Sequence, residues 1–277
     1  MRVLFLGTGS AEGLPALFCA CGVCREARRR GGPDRRTRAS VLIDDTIKID
    51  LPPDTLAHVQ RYDLDLSRLQ HLLFTHSHDD HFAVRELQYL SPNFAPERGN
   101  GGGPLNIWGT HDLIKRMLPE LEHFFEAAPL RFCPVQPFSP VCVGHVRVTP
   151  ITARHKPDEL CLNYLIDPGE DRAPLLYASD TGWYDETTWE FLEGRPIGAV
   201  IVECGRGIAQ NGYEGHLNAE QVRRFKQRLV RTGGLAPDAP FYVTHIAHTG
   251  LLLHDELTQW FAPDGISVAY DGLELGL

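Results

Sequence analysis

The densest cluster of reactive side chains is the stretch Thr75-His76-Ser77-His78-Asp79-Asp80-His81, which directly follows the apolar run Leu72–Phe74. Packing does not account for it, because so many desolvated polar groups need partners that an apolar core cannot supply. Neutral imidazole nitrogens and carboxylate oxygens are preferred ligands of Zn, Mn and Fe. The spacing lets His76 and His78 reach one cation from a turn, while Asp80 and His81 point to a second. A solvated polar turn without metal is the alternative.

A cluster of thiols lies closer to the amino terminus. The chain contains seven cysteines, and an odd number without a secretion signal argues against a disulfide framework. Cys19, Cys21 and Cys24 fall within six residues, so the thiols of this Cys-rich loop at 19–24 are predicted to be used as metal ligands, with three reduced thiols and no metal as the alternative. The other four lie among apolar neighbours and are predicted to be small core residues: Cys133, Cys142, Cys161 and Cys204.

The composition indicates an ordinary globular enzyme. In 277 residues, 43% are hydrophobic and 23% charged, which excludes a disordered or collagen-like chain. No apolar run approaches the ~20 residues of a membrane span, and Met1–Leu6 is too short for a secretory signal, so we expect a cytoplasmic protein with no membrane partner. A formal net charge of −9 excludes a protein that is basic all over and binds nucleic acid through that charge.

The elements that must position these clusters are short. Ten β-branched or aliphatic runs predict strands: Val3–Leu6, Ser40–Ile43, Ile47–Ile49, Leu72–Phe74, Val146–Ile151, Cys161–Ile166, Leu175–Tyr177, Ala199–Val202, Phe241–Val243 and Ser267–Ala269. Five segments predict helices, the fourth of them capped by Asn218: Ala83–Leu90, Leu113–Phe125, Glu186–Leu192, Ala219–Leu229 and Asp255–Phe261. Because strands come in batches before helices, we predict two mixed β-sheets with helices outside, in one α/β domain over residues 1–277. The Gly-rich stretch Asn93–Pro104 is predicted to be a mobile surface loop.

The motif at His76–His81 resembles the signature of the metallo-β-lactamase superfamily. Four further residues follow strands in the order that this family shows: Asp50, His155, Asp180 and His245. Taken singly, His155, Asp180 and His245 are weak signals, and their joint occurrence in order is strong. One departure is Pro52, where the family usually has Gly.

The resemblance implies a four-layer αβ/βα sandwich with a dinuclear metal site. One metal would be held by His76, His78 and His155. The other would be held by Asp80, His81 and His245. Asp180 would bridge the two metals, and Asp50 would orient the ligands from behind.

Within this superfamily the chain resembles the PhnP family of phosphodiesterases along nearly its whole length. The likeness rests on Leu6-Gly7-Thr8-Gly9, on the cysteine motif and on Tyr270-Asp271-Gly272-Leu273-Glu274. It implies that His248 completes a Cys₃His structural zinc site with Cys19, Cys21 and Cys24. It also implies that His216 donates a proton to the leaving oxygen. A helix-capping or surface histidine is the alternative for His216.

These resemblances imply a metal-dependent phosphodiesterase that hydrolyses small cyclic phosphodiesters, either a ribose cyclic phosphate or a 2′,3′-cyclic nucleotide. A hydroxide activated by two divalent ions, Zn, Mn or Fe, would attack phosphorus, with Asp80 and His216 as catalytic residues. We expect a small-molecule substrate and no stable nucleic-acid binding, and a homodimer is left open.

Three other functions are considered. A tRNA 3′-processing endonuclease is disfavoured by the acidic net charge and by the lack of a long basic arm. A thioester or lactone hydrolase would not use His216. A non-catalytic relative resembling PQQ-biosynthesis protein B would have lost the histidine motif, which is complete here.

Two features keep more than one interpretation. The arginine-rich segment Arg25–Arg38 is predicted to be a solvated face, with phosphate binding at the rim of the active site as the alternative. Asp271-Gly272 is predicted to form a tight turn before a last strand. The alternative is that Asp271 orients the metal ligands from behind.

Overall fold

The computed structural model describes residues 1–99, 103–122, 129–169 and 172–277, and its strands form two seven-stranded sheets. The strands of the first sheet are β1 (Arg2–Gly7), β2 (Ser40–Ile43), β3 (Ile47–Ile49), β4 (His71–Leu73), β5 (Leu105–Gly109), β6 (Leu130–Pro134) and β14 (Glu274–Gly276). Those of the second sheet are β7 (Val141–Val143), β8 (Val146–Ala153), β9 (Cys161–Asp167), β10 (Leu175–Ala178), β11 (Ala199–Glu203), β12 (Phe241–Thr244) and β13 (Ser267–Val268).

Helices cover the outer face of each sheet. The α-helices are α1 (Gly22–Arg30), α2 (Thr55–Tyr62), α3 (His111–Leu121), α4 (Glu186–Leu192), α5 (Ala219–Arg231) and α6 (His254–Phe261). Shorter 3₁₀ helices span Gly32–Asp34, Leu66–Arg68, Val84–Leu90, His248–Gly250 and Ala262–Asp264. Within the described part of the chain, no helix is both long and apolar enough to cross a membrane.

Three apolar layers hold the sandwich together. The central layer packs the inner faces of the two sheets against each other, for example Phe5 and Ile43 with Tyr164 and Ile201. A second layer lies between the first sheet and α3, and a third between the second sheet and α4, α5 and α6. The order helices, sheet, sheet, helices is the predicted four-layer αβ/βα sandwich, which is confirmed.

The pairing of the strands brings their carboxyl ends to one rim. β3 and β4 run parallel in the first sheet. β10, β11 and β12 run parallel in the second. Loops that leave these five strands therefore meet at the same edge of the sandwich, where ligands bind in open α/β sheets.

All ten predicted strands are present, with ends within two residues of the prediction. The cap is also confirmed, because Asn218 and Gln221 form a reciprocal capping box at the start of α5. The segment Ala83–Leu90 was expected to be an ordinary helix and is a 3₁₀ helix from Val84. Its buried Val84 and Leu87 lie three residues apart, which matches three residues per turn.

Some predictions fail or cannot be compared. Cys161 and Cys204 are buried, but Cys133 is half-buried and Cys142 is exposed, because each of the latter lies in an outer strand of its sheet. Helix α3 ends at Leu121. Residues 123–125, the end of the predicted helix Leu113–Phe125, lie outside the described residues. The same holds for 100–102 in the predicted loop Asn93–Pro104. The single domain over 1–277 stays a prediction.

Candidate metal centre

Three residues that follow strand ends adopt a left-handed backbone and turn their side chains into the rim. Asp50 follows β3 with φ 62°, Asp180 lies two residues past β10 with φ 54°, and His245 follows β12 with φ 56°. Asp and His are among the few residues other than Gly that occupy this region, and doing so has a cost. Such concentrated backbone strain is typical of a functional site.

Three imidazole nitrogens converge at this rim. The Nδ1 atom of His78 lies 2.9 Å from Nε2 of His76 and 2.9 Å from Nε2 of His155. Burial lowers the pKa of each of these three imidazoles, which favours the neutral form that can bind a metal. Within the described residues, these atoms form one of the sets that could hold a cation.

A second set of four ligand atoms lies beside the first, and all four lie within 4.8 Å of one another: they come from Asp80, His81, Asp180 and His245. Nε2 of His81 is 3.0 Å from Oδ2 of Asp80, and Nε2 of His245 is 3.2 Å from Oδ1 of Asp180. Both Nε2 atoms are buried and have no hydrogen-bond partner in the described part of the chain. Since buried polar atoms are nearly always paired, this donor set fits a metal ion.

The carboxylate of Asp180 joins the two sets. Its Oδ1 is 3.4 Å from Nε2 of His81, while its Oδ2 is 3.6 Å from Nε2 of His155 and 3.8 Å from Nε2 of His76. Burial would raise the pKa of Asp180, but the neighbouring imidazoles of His245 and His81 hold it well below its usual range. An ionised carboxylate with one oxygen toward each set has the geometry of a bridging ligand.

Hydrogen bonds from behind fix the orientation of the imidazoles. Nδ1 of His81 donates to Oδ2 of Asp50 at 2.8 Å, and Nδ1 of His155 donates to the carbonyl of Gly215 at 2.9 Å. Each bond leaves Nε2 with its lone pair directed at the candidate metal position. Asp50 is in turn held by the backbone N–H of Thr75 at 2.8 Å, and the ammonium of Lys48 donates to its carbonyl at 2.5 Å.

His216 lies next to both sets and has a partner that the sequence analysis missed. Its Nδ1 donates to Oε1 of the fully buried Glu203 at 2.8 Å, and its ring stacks on that of His245 at 5.1 Å. Burial alone would lower the pKa of His216, but the charge of Glu203 raises it to about 9. The missed signal was an acidic residue that ends the apolar strand β11.

A cavity of about 690 Å³ opens over the two sets. His78, Asp80, His155, Asp180, His216 and His245 line it, together with Ser10, Glu12, Arg38, Arg206 and Tyr213. Of the arginine-rich segment, Arg38 thus reaches the rim, which favours the alternative interpretation for that residue.

Two neighbouring polar residues have structural roles. Arg36 is buried, contrary to the predicted solvated face, because its guanidinium donates to Thr8 and to the carbonyl of Ala269. Asp271 follows the simpler interpretation. Its carboxylate accepts hydrogen bonds from the backbone N–H and hydroxyl groups of Thr8 and Thr37, and it fixes the turn before β14.

The three thiols of the Cys-rich loop lie together with His248. The Sγ atoms of Cys19, Cys21 and Cys24 and a ring nitrogen of His248 all lie within 4.8 Å of one another. Nδ1 of His248 is 3.6 Å from Sγ of Cys19 and 3.5 Å from Sγ of Cys21. The backbone N–H of Cys24, followed by His248, lowers the pKa of the Cys21 thiol to about 6, so a thiolate is available to a cation. The set is closed, with four donors, as in structural zinc sites.

A family model described as a beta-lactamase superfamily domain matches residues 14–246. The chain belongs to the beta-lactamase superfamily. The expected superfamily is therefore confirmed, and with it a fold used by metal-dependent hydrolases. Three solved structures of this superfamily fold can be compared with the present one over its whole length.

A diphosphatase of the PhnP family is similar over 100% of this chain and 97% of its own, with a TM-score of 0.77 and 21% identity. Zinc-bound PqqB from Methylobacterium extorquens is similar over 100% of both chains, with a TM-score of 0.76 and 18% identity. Human tRNase Z, short form, covers 100% of this chain and 99% of its own, with a TM-score of 0.65 and 14% identity. These likenesses extend the superfamily fold to the whole chain.

A curated relative of this superfamily member is an octanoyltransferase of Porphyromonas gingivalis (strain ATCC BAA-308 / W83). It is 28% identical over 99% of this chain, but the match covers 51% of the octanoyltransferase. The chain therefore spans about half the length of that relative.

Proposed function

We propose that this beta-lactamase superfamily member is a metal-dependent phosphodiesterase that hydrolyses small cyclic phosphodiesters. The observation that carries the proposal is the pair Glu203–His216, placed beside two converging sets of metal-ligand atoms. A protonated imidazole at this position can supply a proton to a leaving alkoxide, which a phosphodiester needs.

Different residues of the chain would bind the metals, orient the water and stabilise the Cys-rich loop. His76, His78 and His155 would hold one divalent ion and Asp80, His81 and His245 a second, with Asp180 between them. When bound, these ions, Zn, Mn or Fe, lower the pKa of water and offset negative charge on phosphate oxygens. Asp80, which lines the cavity, would also orient the attacking water. Cys19, Cys21, Cys24 and His248 would hold a zinc that stabilises the loop at 19–24.

The proton moves through the histidine–glutamate pair. Nδ1 of His216 stays hydrogen-bonded to Glu203, so its Nε2 carries the proton that is given to the leaving oxygen. The buried carboxylate of Glu203 stabilises the imidazolium before transfer. Arg38 lies in the wall of the cavity, held by Asp54 at 3.0 Å, and adds positive charge for a phosphate.

The test compares two leaving groups. Purified protein loaded with Zn, Mn or Fe in turn is assayed on ribose cyclic phosphate, a 2′,3′-cyclic nucleotide, a p-nitrophenyl diester and an octanoyl thioester. The His216→Ala variant should lose about 10²–10⁴-fold on the cyclic diesters, whose alkoxide needs a proton, and much less on the p-nitrophenyl diester. Metal content should not change. Equal losses on the cyclic diesters and on the p-nitrophenyl diester would overturn the proposal. Turnover of the thioester alone would overturn it as well.

A further inference from the structure

Tyr213 is a large aromatic side chain that stays 47% exposed while it lines the cavity beside His216. We propose that its ring is a stacking platform for the base of a nucleotide substrate. This inference rests on the proposed phosphodiesterase function, and it selects 2′,3′-cyclic nucleotides over ribose cyclic phosphates that lack a base.

The ring of Tyr213 is fixed at several points. Its hydroxyl donates to the carbonyl of His155, and its own carbonyl accepts from the backbone N–H of His216 at 3.1 Å. The ring centroid lies 5.8 Å from that of His155 and 5.9 Å from that of His216. A side chain held in this way loses little conformational entropy when a ligand binds to it.

Gly215 makes room for this placement. A Cβ atom there would lie 2.3 Å from Cε1 of Tyr213 and 2.8 Å from its Cζ, so any other residue would displace the ring. The turn between Tyr213 and His216 thus presents an aromatic ring and an imidazole side by side. Exposed aromatic rings that are rigidly anchored are typical of sites where bases stack.

The position of the ring matches the reaction. In a 2′,3′-cyclic nucleotide the leaving oxygen belongs to the ribose that carries the base. If His216 protonates that oxygen, the base must lie among the groups that surround His216, and Tyr213 is the aromatic side chain that shares its turn. The cavity of about 690 Å³ has room for a whole nucleotide, since sites for ligands of that size measure about 300–1,000 Å³.

A matched pair of substrates isolates the base. We propose to compare adenosine 2′,3′-cyclic phosphate with methyl riboside 2′,3′-cyclic phosphate, which has the same reacting bonds and a methoxy group in place of adenine. Two variants separate the ring from its hydroxyl. Tyr213→Leu removes the aromatic face and the hydroxyl, while Tyr213→Phe keeps the face and removes only the contact with the carbonyl of His155.

Stacking predicts a substrate-specific loss. Beyond any loss on the methyl riboside, Tyr213→Leu should lose roughly 5- to 150-fold in kcat/KM on the adenosine substrate, mostly through KM. Tyr213→Phe should affect both substrates alike. Metal content and Tm of each variant are measured in parallel, and unchanged metal content shows that His155 is still in place.

Four results would count against the inference. Equal losses of Tyr213→Leu on both substrates would show that Tyr213 only holds the carbonyl of His155. Equal kcat/KM of the unaltered protein on both substrates would show that no base is recognised. Hydrolysis of ribose cyclic phosphate but of neither substrate would count against the inference and leave the proposed function standing. Hydrolysis of no cyclic diester would overturn the proposed function, and binding of 3′-AMP, measured by calorimetry in the metal-loaded protein, then tests stacking alone. Affinity for 3′-AMP no higher than for ribose 3-phosphate would overturn it.

Discussion

Replacing Glu203 with Gln removes the negative charge that supports His216 while it keeps the size of the side chain. The carboxylate is fully buried and accepts hydrogen bonds from His216 at 2.8 Å, from the N–H of Gly205 at 2.6 Å and from the N–H of Thr181 at 3.2 Å. Because one amide NH₂ must replace an acceptor oxygen, some loss of stability is expected as well. The charge effect on His216 is the larger one for catalysis.

The geometry gives the size of the effect. With the two charge centres about 4 Å apart and an effective dielectric constant of about 20, the interaction is about 4 kcal/mol. That corresponds to about 3 pKa units. The pKa of His216, raised to about 9 by Glu203 against the effect of burial, should therefore fall to roughly 6. At pH 7.5 the protonated fraction would drop roughly 30-fold. Bound cations lower the pKa of His216 in the unaltered protein and in Glu203→Gln alike, so the difference in pKa between the two proteins remains.

The assay is the pH dependence of kcat/KM on a cyclic diester. An acid that must be protonated loses activity as the pH rises through its pKa, so the alkaline limb should move about 3 units toward lower pH in Glu203→Gln. The p-nitrophenyl diester should show little change, because its leaving group needs no proton. Glu214→Gln is the matched control: it makes the same change of charge at an exposed glutamate two residues before His216.

An alkaline limb at the same pH in Glu203→Gln and in the unaltered protein would refute the reasoning. So would an equal shift in Glu214→Gln. In either case the hydrogen bond between Glu203 and His216 would serve the fold and not proton transfer.

Further predictions concern the metal centre, the thiol cluster and the scaffold. Asp180→Ala should lower kcat at least about 100-fold in protein that is still folded by circular dichroism, because the carboxylate between the two sets is lost. Cys21→Ser should reduce zinc content by one atom per chain and lower Tm far more than the rate per folded molecule. Asn218→Ala should cost about 1 kcal/mol in urea unfolding, through loss of the capping box. Burial lowers the pKa of Lys48 from 10.5 to about 7, so the unfolded chain binds more protons between these values and stability rises with pH there. Urea unfolding should therefore show that Lys48→Met gains most over the unaltered protein below pH 7, with a smaller gain toward pH 10.

The sequence alone determined the features that depend on local pattern. The spacing of His76, His78, Asp80 and His81 after an apolar strand was enough to indicate a metal site, because the ligands lie within one turn. Alternating and continuous apolar runs likewise located ten strands, since burial imposes its period on neighbouring residues. The Asn218 cap could also be predicted, because a capping box involves residues only three positions apart.

Only the tertiary structure decided what depends on contacts between distant segments. Glu203 ends strand β11 and His216 lies in the loop before α5, and an acidic residue at a strand end does not tell which histidine it will contact. Helix α1 was not predicted, because its many arginines leave only Cys24 and Ala27 as buried residues and so give no clear apolar pattern. Strand β14 forms by pairing with β1, which lies at the other end of the chain. Arg36 and Arg38 look alike in the sequence, yet one is buried against the carbonyl of Ala269 and the other faces the cavity. Such differences arise from long-range packing, which no local pattern of residue types encodes.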